Sequence, residues 1–309
     1  MRVLCKFVFV ALLFTGAVAL AQSQPQLAST LRTIPPAHGV LAQHGMVVAQ
    51  EARAARIGVE ILDRGGNAVD AAVAVGFAMA VTYPRAGNLG GGGFMVIHLA
   101  DGNRNTSIDY RETAPAAATQ DMFLDAQGNP DPKKSRDSGL AVGVPGTVAG
   151  LALAEQKYGS GKFTLADLLA PAIGLADNGF AVEDDVADSL ATSRDRLAQW
   201  PSSGIFLNGS EPLHEGDRLI QSDLADTLRA IAKDGPRAFY EGSTAEQIAD
   251  AVRNAGGIMT KDDLAHYRAI ERPVVRGTYR GYDIISMPPP SSGGVALIEM
   301  LNILEGYDL

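Results

Sequence analysis

Arg111 has the setting that points most directly to binding chemistry. It follows a short segment, residues 107–110, that reads as a strand, within the run DYRETAP. An arginine presents a planar fork that grips a carboxylate through two parallel hydrogen bonds. Upstream lies Gly87-Asn88-Leu89-Gly90-Gly91-Gly92-Gly93-Phe94, with four consecutive glycines. Such a run permits positive φ angles and lets another backbone, or a ligand, come close. A lone cation beside a glycine-lined space reads as an anion site. On the residues alone, an ion pair with Asp109 or Glu112 explains Arg111 equally well. The glycine run precedes a strand and no Lys-Ser/Thr follows it, which argues against a phosphate loop. Close packing of a buried helix against a sheet accounts for most of the glycines, which would then shape a wall rather than do chemistry.

Other reactive side chains read more plainly. Ser291-Ser292 follows three prolines, but no G-x-S-x-G elbow surrounds it and no histidine comes after it. Helix capping accounts for the pair better than nucleophilic catalysis. His98, His214 and His266 form no H-x-x-x-H and no histidine–carboxylate pair at ligand spacing, so no metal is expected. His38 and His44 lie in a polar stretch without a carboxylate pattern and read as surface residues.

The elements that must hold these groups follow from local pattern. Residues 68–81 read as a helix apolar on every side, which demands burial all round. That helix is short of the about 20 apolar residues a bilayer span needs. Asn67 stands at its N-cap, and Asp70 suits the helix dipole in the first turn. Residues 48–64 carry Ala54, Ile57, Gly58, Ile61 and Leu62 on one face, with Gly65-Gly66 as the stop. Phe94–Leu99 predicts a buried strand, Asp101-Gly102 a hairpin turn, and residues 107–110 the return strand that delivers Arg111. Helices are expected over residues 147–158, 182–198 and 223–233. Another starts at a Thr164/Asp167 capping box, and Pro171 should kink or split it. Ser243 with Glu246 predicts a capping box for a helix to Asn254, and residues 260–267 a short helix. Residues 273–287 read as two strands about Arg280-Gly281, and a final helix starts at Gly293. No repeat, long linker or shift in composition marks a boundary within this run.

Composition sets the wider limits. The chain has 309 residues, 46% hydrophobic and 20% charged, with a net charge of −9. An acidic chain without a basic stripe argues against nucleic acid and anionic membrane surfaces. Residues 1–21 resemble a secretory signal peptide: Arg2 and Lys6, an apolar core over 7–18, then Ala19-Leu20-Ala21 as a small-x-small cleavage site. Cleavage there would leave 24 basic against 35 acidic residues, a net −11. A membrane anchor is the alternative, though the apolar run is short for a span. The sole cysteine, Cys5, falls in that leader, so the mature chain would carry no thiol or disulfide. Export to the periplasm or the medium is expected, with no membrane attachment after cleavage. Residues 22–45, rich in Gln, Ser, Pro and Ala, read as an extended lead-in.

Five motifs carry a family resemblance. GNAVDAAVA, GNLGGGGFM, the arginine of DYRETAP, GVPGTVAG and SMPPPSSGG occur in this order, and the similarity extends from about Met46 to Leu309. Together they resemble the γ-glutamyltranspeptidases, also called glutathione hydrolases, among the N-terminal-nucleophile hydrolases. The resemblance implies an α/β fold, part of a four-layer αββα sandwich, and a cofactor-free enzyme acting on glutathione and related γ-glutamyl amides. It implies that Arg111 holds the α-carboxylate of the γ-glutamyl group. The family's nucleophile is a threonine that becomes a new N-terminus when the precursor cuts itself; its own amine then serves as base. No threonine here matches that motif, so the resemblance assigns this chain no catalytic residue. Residues 46–309 are expected to be the N-terminal part of the large subunit, inactive alone, with the C-terminal nucleophile subunit as partner. Without it, the strands near Phe94–Leu99 should expose apolar faces and unpaired edges. A glutaryl acylase or a poly-γ-glutamate depolymerase of the same family is the nearest alternative reading. A non-catalytic exported binding protein is the alternative from another class.

Overall fold

The computed structural model describes residues 39–309. The leader and most of the lead-in, with Cys5 and His38, lie outside the described residues. Gly45–Leu309 forms one compact unit, and residues 39–44 belong outside it. In chain order the elements are α1 (Ala52–Asp63), α2 (Ala68–Thr82), β1 (Phe94–Leu99), β2 (Arg104–Asp109), α3 (Pro132–Arg136), α4 (Thr147–Tyr158), α5 (Leu165–Asn178) and β3 (Phe180–Ala181). They continue with α6 (Asp184–Leu197), β4 (Leu207–Asn208), β5 (Glu211–Pro212), β6 (Arg218–Leu219), α7 (Ser222–Asp234), α8 (Arg237–Tyr240) and α9 (Gly242–Asn254). The last are α10 (Lys261–His266), β7 (Ile270–Arg272), β8 (Val275–Tyr279), β9 (Tyr282–Ser286) and α11 (Gly293–Leu304). The mixture of helix and sheet is the α/β class expected.

The helix α2 is the centre of the packing. It lies against α1, α4 and α5, and Val73, Phe77 and Val81 are fully buried. Its start is fixed by a complete capping box: Asn67 Oδ1 accepts from Val69 and Asp70 N–H, while Asp70 accepts from Asn67 N–H at 2.8 Å. Asp70 is fully buried yet satisfied, because Ser160 N–H also donates to it at 3.2 Å. Asn67 Nδ2 donates to the Tyr158 carbonyl at 2.7 Å, so the same pair ties α2 to the end of α4. A buried carboxylate is tolerated only with its lone pairs filled in this way. At the other end, buried Gln221 donates to the Val81 carbonyl at 2.8 Å and locks α7 to α2.

The sheet has the order β1-β2-β7, antiparallel throughout. Phe94 pairs with Asp109 and Leu99 with Arg104, with the Asp101-Gly102 turn between them. The strand Phe94–Leu99, read as buried, is covered on one face only, with the open face and unpaired edge that were also expected of this segment. Ile97 is buried with Ile108 on one face, but Val96 is 40% exposed and His98 is exposed on the other. The helices cover only one face of β1, and β1 is an edge strand. β2 starts at Arg104, earlier than expected, and ends at Asp109.

Most helix ends match the sequence reading, with three departures. α1 starts at Ala52 rather than 48, because buried Glu51 caps it through a 2.8 Å bond from Ala54 N–H. Pro171 lies inside α5 without splitting it. Ser243 and Glu246 form no capping box; α9 starts at Gly242 from Glu241, with no side-chain cap. The β8–β9 hairpin turns at Arg280 and Gly281, both at positive φ.

Candidate functional site

Three chain segments meet at Arg111. The first is the glycine run, the second residues 110–115 at the end of β2, and the third the stretch that leads into α4. Thr113 and Val144 bridge the last two through paired backbone bonds of 3.2 and 2.8 Å. The Gly91 carbonyl accepts from Gly146 N–H at 2.7 Å and Thr147 N–H at 3.1 Å, which caps α4 where no side chain does. Between the segments lies a cleft of about 560 Å3, lined by Asn88, Gly90, Gly91, Arg111, Glu112, Thr113 and Gly143 on its polar side. Met122, Phe123, Leu140 and Val142 line its apolar side. That volume suits a small molecule.

The glycines serve close approach, not unusual backbone angles. None of Gly90 to Gly93 has a positive φ. A Cβ on Gly92 would sit 2.4 Å from the Tyr110 carbonyl oxygen and 2.8 Å from Glu112 N. On Gly93 it would meet the Tyr110 ring at 2.9 Å. From the other side, a Cβ on Gly146 would fall 1.9 Å from the Tyr110 carbonyl oxygen, and one on Gly150 2.1 Å from Tyr110 Cγ. The run therefore packs against the Arg111 segment rather than against a buried helix. Only Gly87 touches α2, where a Cβ would lie 2.3 Å from the Met79 carbonyl oxygen.

The backbone of Arg111 is held at both ends. Its N–H donates to Asp109 Oδ1 at 3.1 Å, and its carbonyl accepts from the Tyr267 hydroxyl at 2.9 Å. Asp109 is buried, and its other oxygen accepts from Arg272 Nε at 2.8 Å. The ion pair that competed with the anion-site reading thus joins Asp109 to Arg272 instead. Among the described residues, no ion pair or hydrogen bond engages the side chain of Arg111 or of Glu112. Both side chains are exposed along the cleft. A fixed backbone with a free guanidinium fork is suited to take a carboxylate by two charge-assisted bonds.

The remaining residues singled out in the sequence lie elsewhere. Ser291 Oγ accepts from Gly293 N–H at 3.3 Å, and Ser292 occupies the N-cap position of α11. His98 faces Asn105 Oδ1 at 2.7 Å, His266 bonds the Asp262 carbonyl, and His214 lies beside Asp217. None of these lines the Arg111 cleft. Among the described residues no cluster of three or more His, Cys, Asp or Glu side chains is gathered as a metal site, and no helix is long and apolar enough to cross a membrane. Sequence reasoning missed Tyr267, Asp109 in its pairing with Arg272, and Tyr110 as the residue the glycines enclose.

Comparison with known proteins gives the family. The model of the Gamma-glutamyltranspeptidase family matches residues 54–309. A glutathione hydrolase proenzyme of Escherichia coli (strain K12) is 54% identical over 274 residues, covering 88% of this chain and 47% of the relative. An ACY 1 acylase proenzyme of Pseudomonas sp. (strain V22) is 42% identical over 292 residues, 92% of this chain and 51% of the relative. The crystal structure of a Helicobacter pylori gamma-glutamyltranspeptidase superposes with a TM-score of 0.85 at 48% identity, over 88% of this chain and 78% of that one. The chain spans about half the length of the curated relatives it matches. With a matched family model over most of its length and a half-identical proenzyme beside it, the chain belongs to the γ-glutamyltranspeptidase family.

Proposed function

We propose that this chain is the N-terminal part of a γ-glutamyltranspeptidase precursor, in which Arg111 binds the α-carboxylate of the γ-glutamyl donor. The observation that carries the reading is the unpaired Arg111 fork in a cleft walled by glycines. The nucleophile is a threonine of the C-terminal part. Its hydroxyl attacks the γ-carbonyl carbon, its own α-amine takes the proton, and the amine of the leaving peptide departs protonated. Water or an amino acid or peptide acceptor then attacks the ester, and the threonine is released. Arg111 contributes by holding the far end of the donor, so that binding energy remote from the scissile amide orients the γ-carbonyl. Glutathione and related γ-glutamyl amides are the donors in this reading. Residues 1–21 direct export, 22–45 lead in, and 46–309 form the part that meets the nucleophile subunit.

The test compares two preparations on a γ-glutamyl anilide: the full-length proenzyme that carries this sequence, and the 309-residue chain alone. The proenzyme should cut itself into two chains and release aniline. The 309-residue chain should do neither. Turnover by the purified shorter chain, free of host enzyme, would overturn the assignment of the nucleophile to the C-terminal part.

A further inference from the structure

The hydroxyl that closes on Arg111 belongs to a two-tyrosine brace. Tyr267 follows α10, and Tyr240 ends α8; both are 6% exposed. Their rings stack nearly parallel, 5.7 Å apart with 8° between planes, the offset geometry aromatic pairs favour. The Phe239 ring meets Tyr240 edge-on at 5.1 Å. Tyr240 Oη donates to the Pro145 carbonyl at 2.9 Å and accepts from Ala149 N–H at 3.2 Å, which fixes it to the turn into α4. Tyr267 Oη donates to the Arg111 carbonyl at 2.9 Å. Gly146 leaves the room for this, since a Cβ there would sit 2.2 Å from Tyr267 Oη.

We propose that Tyr267, held by its stack on Tyr240, is a positioning residue that sets the Arg111 guanidinium for the donor's α-carboxylate. The proposal rests on the reading of Arg111 given above. The Arg111 side chain has no partner of its own among the described residues. Its aim therefore depends on its backbone, and that backbone is gripped at the N–H by Asp109 and at the carbonyl by Tyr267. A pre-aligned fork loses less freedom when the carboxylate arrives. Burial, followed by the nearby Asp109 and Glu112 charges, pushes the Tyr267 hydroxyl above its ordinary value of 10.0, so it is a donor at neutral pH.

The test is a double-mutant cycle in the full-length proenzyme, with rates normalised to titrated active sites. Tyr267→Phe removes one hydroxyl and keeps the stacked ring. It should raise KM for a γ-glutamyl anilide by about threefold to tenfold, the worth of one neutral hydrogen bond. Its kcat should stay within about twofold, because Tyr267 touches no reacting atom. In the Arg111→Lys background the same change should leave KM unmoved, since the fork it aims is already gone. Tyr240→Phe, which frees the brace from Pro145, should shift KM in the same direction by less. An unchanged KM in Tyr267→Phe, beside a raised KM in Arg111→Lys, overturns the brace and leaves the reading of Arg111 standing. Equal KM effects of Tyr267→Phe in both backgrounds also overturn it. If Arg111→Lys itself leaves KM unchanged, the reading of Arg111 falls and the brace falls with it. Should Tyr267→Phe fail to mature, the Tyr240→Phe result decides: an unaltered KM there counts against the brace.

Discussion

Among single residues near the cleft, Tyr110 is hemmed in by glycines on two segments. Gly150 on α4 faces its ring so closely that a Cβ would sit 2.1 Å from Cγ. Gly150→Ala should therefore destabilise the protein by about 1–3 kcal/mol through overpacking, read as a lower midpoint in denaturant. Gly174 in α5 is the control, since nothing lies within 4 Å of its Cβ position and its φ is ordinary. Gly174→Ala should stabilise by about 0.5–1 kcal/mol, the usual cost of glycine in a helix interior. An equal loss from both would mean that the enclosure of Tyr110 has no special weight. The contrast shows what could be read from sequence. Arg111 stood out because a lone cation beside four glycines is unusual. The purpose of the glycines did not, because close approach and positive φ leave the same letters in the chain. Tyr267 left no local signal at all: its partner lies 156 residues away, and a single tyrosine after a short helix has many possible roles.

The secondary-structure elements were legible where the signal was local. Thr164/Asp167 closes as the capping box expected; Asn67/Asp70, read as a cap and a dipole partner, and Thr260/Asp263, which was not singled out, close as boxes too. Ser243/Glu246 has the same spacing and does not close: α9 begins at Gly242, which stands at positive φ, and Glu241 takes the cap position. The burial of β1 was misread because an apolar run records what a strand would like to meet, not what is present. The capping carboxylates carry a pH dependence. The Thr164 hydroxyl, then the Thr164 N–H, hold Asp167 below its ordinary value of 3.8. At Asp263 burial pushes up, but bonds from Ala116 N–H and from the Thr260 hydroxyl and N–H outweigh it, and the carboxyl is again lowered. An acid whose folded pKa is depressed contributes stability that is present above the unfolded value and lost as pH falls through the folded one. Stability should thus be flat with respect to these two groups above about pH 5 and decline below pH 4. Thr164→Ala and Thr260→Ala should each cost about 1 kcal/mol at neutral pH and flatten the acid limb. Acid unfolding curves of the two variants that simply parallel the parent would count against the capping account.

Across the molecule, α2 and α11 make an instructive pair. Both are rich in apolar residues, yet α2 is enclosed while α11, which also carries exposed Glu299 and Asn302, rests mainly on the β8–β9 hairpin and buries only Gly294. Met300 and Ile303 are 54% and 59% exposed, with Val295, Leu297 and Leu304 also open. An apolar surface of this kind favours association. The 309-residue chain expressed alone should bind a hydrophobic dye and self-associate, and Met300→Lys with Ile303→Lys should reduce both. A monodisperse, dye-silent parent chain would contradict this. Export is tested separately. N-terminal sequencing of secreted material should begin at Gln22, and an intact Met1 in the mature fraction would rule out cleavage after Ala21.

The central claim is that Arg111 receives the α-carboxylate of the γ-glutamyl donor, and one substitution addresses it most directly. Arg111→Lys in the full-length proenzyme keeps the charge and removes the fork. The measurement is kcat/KM on a γ-glutamyl anilide, with active sites counted by titration. Losing a charge-assisted bidentate contact should lower it by about tenfold to a hundredfold, or about 1.5–3 kcal/mol. An unchanged kcat/KM would show that the donor's carboxylate is bound somewhere else.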